Sequence, residues 1–121
     1  MRNYKDLKRF AESLGFVVTS TTGGTHNRNS KHFLGLAIDV RTRDKTDAQN
    51  DLFIRQCRAI GIIVHDERRK PPGQRVWTGA HLHLEIGSQT EAILRQWQAN
   101  NNLTVDGIVG KKTLAILKSL V

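Results

Sequence analysis

The stretch His81-Leu82-His83-Leu84-Glu85-Ile86 restricts the fold more than any other part of this chain. Apolar and titratable residues alternate along it without a break, and successive side chains on a strand point to opposite faces. Read as a strand, it buries Leu82, Leu84 and Ile86 and gathers His81, His83 and Glu85 on the other side. Leu36 to Arg41 has the same pattern, with Leu36, Ile38 and Val40 on one face and Ala37, Asp39 and Arg41 on the other. If these strands are neighbours, Asp39 and His83 project from one face of one sheet. His32 reaches the same place from the loop that leads into the first strand, where Gly35 permits a close approach and Ala37 leaves room beneath a metal.

The rest of the chain supplies helices around a small sheet. Tyr4, Leu7, Ala11 and Leu14 share one face of a 3.6-residue repeat, which predicts an amphipathic helix over Asn3 to Ser13, ended by Gly15. Phe16 to Thr19 reads as a short strand, and the Thr, Gly and Asn of Ser20 to Ser30 as a long loop of the functional kind. Thr46 and Gln49 form a capping box that opens a helix closed by Gly61. Ile62-Ile63-Val64 begins another strand, and Pro71-Pro72-Gly73 lies in a turn. Ser88 with Glu91 forms a second capping-box pattern, opening a helix to about Asn100, and a last helix runs to Leu120. The class expected is α+β, a small sheet flanked by helices with a C-terminal helical pair.

Composition narrows the partners. With 121 residues and 38% hydrophobic content, one compact domain or a small domain with an appendage is expected. The formal charge of +8 favours polyanions such as nucleic acid, anionic lipid or the acidic polymers of a bacterial envelope. The sequence has neither a Lys/Arg block nor an aromatic-basic stripe, so no nucleic-acid partner is expected. Cys57, the single cysteine, falls beside Phe53 and Ile60 at helical spacing and reads as a small buried apolar group. No apolar run is long enough to insert in a membrane, and Met1 to Phe16 does not read as a signal peptide.

Two imidazoles and a carboxylate that converge, with a fourth position left to water, make the ligand pattern of a catalytic zinc site. At these residues the chain resembles the zinc D-Ala-D-Ala metallopeptidase superfamily, which includes VanY-like carboxypeptidases, phage endolysin peptidases and Hedgehog-like zinc domains. Ser30, His32, Gly35, Ala37 and Asp39 match its S-x-H-x-x-G-x-A-x-D pattern, and His81 and His83 match its later H-x-H form. His26 stands where the Hedgehog-like branch also carries a histidine. The resemblance implies a mostly antiparallel sheet, a zinc ion held by His32, Asp39 and His83, and His81 at the catalytic position. It also implies that His26 is an imidazole backing the site or facing the substrate.

The chain departs from that family twice. Members with E-x-x-H carry a glutamate base where this chain has Ala80, leaving His81, then Glu67 or Asp66, as candidates for the base. The arginine of the carboxypeptidase S-G-Y-R segment is absent from Ser20 to Gly23, which favours an endopeptidase unless Arg28 or Arg41 grips the substrate instead. Glu85 reads as a solvated or salt-bridged neighbour, His65 as structural, and Trp77 and Trp97 as packing residues.

A second resemblance covers Ser88 to Val121. Gln96-Trp97-Gln98, Leu103 to Gly110 and Thr113 to Leu117 are similar to a peptidoglycan-binding helical repeat, with about two of its three helices present. The Asp106-Gly107 pair reads as a turn whose carboxylate ties the loop to a helix start.

Together these imply a zinc peptidase domain over 1–87 and a partial wall-binding segment over 88–121, the latter packing on the sheet to complete its core. The expected function is zinc-dependent hydrolysis of an amide in the peptidoglycan stem peptide or cross-bridge. The alternative is a non-catalytic zinc module that binds peptidoglycan or a protein. A monomer is expected, made in the cytoplasm and acting at the cell wall or periplasm, as a phage lysin would after a holin opens the membrane.

Overall fold

The computed structural model describes residues 1–21, 34–70, 72–73 and 79–120. Its elements run α1 (Tyr4–Ser13), β1 (Val18–Ser20), β2 (Ala37–Arg41), α2 (Asp47–Ala59), β3 (Ile62–Glu67), β4 (His81–Ile86), α3 (Thr90–Asn100) and α4 (Lys111–Lys118). The strands form one sheet in the order β1-β2-β4-β3, with every neighbouring pair antiparallel. The α+β class and the antiparallel sheet are as expected.

The alternation places the core. Ile38, Val40, Leu82 and Leu84 are fully buried beneath Leu7, Phe10 and Ala11 of α1 and Phe53 and Cys57 of α2. Phe53 stacks on Phe16 with ring centroids 3.9 Å apart. Leu94 of α3 and Leu117 of α4 belong to the same cluster, so the C-terminal pair shares the core of the sheet. The helices thus take the apolar face, which leaves Asp39, Arg41, His81, His83 and Glu85 on the other.

The starts of α1 and α2 follow local side-chain chemistry, whereas α3 and α4 begin without a side-chain cap. Asn3 caps α1, and Thr46 and Gln49 cap α2 reciprocally, at 3.1 and 2.9 Å. The Ser88/Glu91 capping box does not form. Residue Gln89 occupies the cap position of α3 without a side-chain bond. The buried Thr90 hydroxyl instead accepts from Gly87 N (2.8 Å) and donates to Gly61 O (2.7 Å), pinning α3 to the α2–β3 turn. Gly61 has φ +83°, and a Cβ there would lie 2.8 Å from Ile93 Cβ and 2.9 Å from Thr90 O, so only glycine lets α3 come this close.

Candidate functional site

Register builds the site. Across the open face, Arg41 pairs with His81 and His81 with Glu67; one rung on, Asp39 pairs with His83 and His83 with His65. Directly opposed residues on a sheet face are close enough for their side chains to interact. Glu85, two residues beyond His83 on β4, shares this face.

Two hydrogen-bonded groups result. In the first, His83 Nδ1 lies 3.0 Å from Asp39 Oδ1 and its Nε2 lies 2.8 Å from Glu85 Oε1. Carboxylates only accept, so a ring that donates to both is an imidazolium. Burial alone would push His83 down, but the bonds to Asp39 and Glu85 and their charges outweigh it and hold the pKa above the ordinary histidine value. In the second group, His81 Nδ1 donates to the Gly79 carbonyl (2.8 Å) and Nε2 faces Glu67 Oε2 (2.8 Å). A carbonyl only accepts, so Nδ1 is the donor there and Nε2 is the ring atom turned to the Glu67 carboxylate. His81 Nε2 is also 4.0 Å from Asp39 Oδ1, so the two groups adjoin.

A cleft of about 430 Å³ opens beside them, lined by Asp39, His81, Arg41, Arg43, Gly79 and Ala80, with Thr19 and Ser20 of β1 at its edge. Two guanidiniums thus border the space that His81 and Asp39 face.

Of the residues singled out in the sequence, the fold brings Asp39, His83, His81 and Glu67 together. His26, Arg28, His32 and Trp77 lie outside the described residues. Among the described residues, no three His, Cys, Asp or Glu side chains form a group able to hold a metal ion. Asp39 and His83 contribute an oxygen and a nitrogen donor, and the Glu85 carboxylate on the far ring nitrogen is the support a metal-bound imidazole usually has. Zinc would have to displace the Nδ1 proton of His83, after which that nitrogen and an Asp39 oxygen would be the donors. Asp66 forms a separate ion pair: Arg68, at 2.7 Å, holds its carboxyl below the usual range.

Two residues given a lesser part in the sequence reading join the cluster. Glu85 is the salt-bridged neighbour of the two alternatives, held on His83 Nε2 at 2.8 Å, as its place two residues from His83 on a strict alternation allows. His65 lies with its Nε2 3.6 Å from Glu85 Oε1 and its ring centroid 5.4 Å from that of His83, at the outer edge of the cluster.

Comparison with known families matches residues 84–117 to the peptidoglycan binding domain family. No curated protein and no solved structure matches the chain. The matched segment runs from within β4 through α3 and most of α4. In it Gln98, 1% exposed, organises the loop: its Oε1 accepts from Asp106 N (3.2 Å) and Gly107 N (3.0 Å), and its Nε2 donates to Asp106 Oδ1 (3.1 Å) and Ile108 O (3.0 Å). Asp106 Oδ1 also accepts from Ile108 N (2.9 Å), so its carboxylate closes the turn on itself and ties it to the end of α3 rather than to a helix start. Among the described residues, no helix is long and apolar enough to cross a membrane.

Proposed function

We propose that this chain is a zinc-dependent peptidoglycan peptidase, with His32, Asp39 and His83 as the metal ligands and His81, backed by Glu67, as the proton carrier. Zinc bound there supplies a Lewis acid and a water of lowered pKa. The hydrogen-bonded His81–Glu67 pair would take up the proton lost by the attacking water and return it to the leaving amine. Glu85 fixes the His83 ring with Nδ1 toward Asp39. Arg41 and Arg43 line the cleft where a stem-peptide carboxylate would sit.

One observation carries this reading. The Asp39–His83 and His81–Glu67 pairs adjoin at an open cleft, in a chain that also matches a peptidoglycan binding family. The test is mass spectrometry of the muropeptides released from purified sacculi. Zinc-loaded protein releases new amine termini, and chelator or His81→Ala abolishes the release.

A second reading, a zinc-holding module without turnover, is favoured by Ala80, which stands where the E-x-x-H relatives carry their base. It predicts zinc binding and sacculus binding with no muropeptide released.

A further inference from the structure

A second concavity lies on the helix side of the sheet, opposite the titratable cluster. Its volume is about 560 Å³, within the range of pockets that hold small ligands. One wall is α1 with the residues before it; the other is α3, the 101–110 loop and the start of α4. The floor is apolar, from Phe10, Val109 and Leu114. At one end the Met1 nitrogen donates to Gly107 O (2.6 Å) and joins the walls. Gly107 has φ +69°, and a Cβ there would lie 2.8 Å from Glu91 Oε1, so the close packing of this loop on α3 requires glycine.

The groove has a surplus of positive charge. Its acids are already engaged: Asp6 accepts from Arg2 N (2.6 Å) and pairs with Arg9 (3.6 Å), Glu91 pairs with Arg95 (3.1 Å), and Asp106 is held by Gln98. Among the described residues, the Arg2 and Lys111 side chains, one on each wall, form no ion pair.

We propose that this composite groove binds the peptide-bearing part of a peptidoglycan strand, whose carboxylates meet Arg2, Arg9 and Lys111 and whose alanine methyls rest on the Phe10–Leu114 floor. The proposal rests on the peptidoglycan reading and extends it, because half the site comes from α1, outside the matched 84–117 segment. Since the groove and the Asp39–His81 cleft lie on opposite faces of the sheet, it anchors the wall polymer rather than the bond to be cut.

Retention of the full chain on purified insoluble sacculi tests this, at low salt and with chelator to prevent digestion. Three variants are compared with the unmodified protein: Arg2→Glu/Arg9→Glu on α1, Lys111→Glu on the other wall, and Lys5→Glu/Lys8→Glu as a charge-matched control on α1 away from the groove. Arg2 and Lys111 lie at helix N-termini, where an acid is favourable, and because Arg9→Glu removes the Asp6 pair a thermal melt of each variant checks that the fold is kept. The proposal predicts that the α1 pair and Lys111→Glu each weaken retention by about tenfold while the control changes far less. Equal losses in the control and the α1 pair would show that only diffuse charge attracts the wall and would overturn the groove. Loss from Lys111→Glu alone would also overturn it, by confining the site to the matched segment. Failure of the unmodified protein to bind sacculi would instead remove the peptidoglycan reading itself.

Discussion

Replacing Gln98 with leucine keeps the volume of a side chain that is 1% exposed and deletes every hydrogen bond it makes. The Gly107 N–H, in a buried residue, loses its acceptor, as does the Asp106 N–H, while the Ile108 carbonyl, which loses its donor, belongs to an exposed residue. An unsatisfied buried group costs about 1–3 kcal/mol. For two such groups, less about 1 kcal/mol for the added apolar burial, the net loss is about 1–5 kcal/mol. For a chain of this size about 4 °C of melting temperature accompanies each kcal/mol, so Gln98→Leu melts about 4–20 °C lower. Gln98→Glu adds a pH signature. It keeps the acceptor for both N–H groups but sets a carboxylate against Asp106, so the native state favours its protonated form. Its pKa is therefore raised on folding, and its stability relative to the parent falls as pH rises through and above the usual carboxylate range. Thermal melts of both variants between acid and neutral pH measure this. A Gln98→Leu protein that melts with the parent, or a Gln98→Glu deficit that does not grow with pH, would refute the claim that this amide holds the groove's wall.

Glu85→Ala should weaken zinc binding by about 10–100-fold in a chelator competition, with Glu85→Gln in between because it still accepts from His83 Nε2; unchanged affinity would remove Glu85 as the support of that ring. Burial pushes the Cys57 thiol up, so it should resist a disulfide reagent in the native protein and react only on unfolding; prompt labelling would contradict its place in the core. The hydrogen bond from Arg68 lowers the Asp66 pKa, an interaction fully present above the ordinary carboxylate value and lost as pH falls through the lowered one. Arg68→Met should therefore flatten the acid limb of the stability–pH profile, and an unaltered limb would count against that pair.

The strands that position the site were legible because each is apolar on one face only. Leu82, Leu84 and Ile86 bury as the alternation requires, and the same period puts Asp39 beside His83. The Thr46/Gln49 box was legible because both partners are local. Ser88 and Glu91 offered an equally good local pattern, yet α3 starts at Thr90, whose hydroxyl bonds to Gly61 in a different turn; a partner 29 residues away leaves no local trace. Sheet order hid the pairing of His81 with Glu67, since no pattern within either strand shows that β3 lies beside β4. The structural role of Gln98 escaped for the same reason: its partners lie in the loop after α3 and, through the Thr113 hydroxyl, in α4.

The most direct measurement is the zinc environment of the loaded protein, read by anomalous diffraction together with stoichiometry. One ion per chain is predicted, bound by nitrogens of His32 and His83 and an oxygen of Asp39 at about 2.0–2.2 Å. A protein that takes up no zinc, or binds it through residues other than Asp39 and His83, would contradict the account.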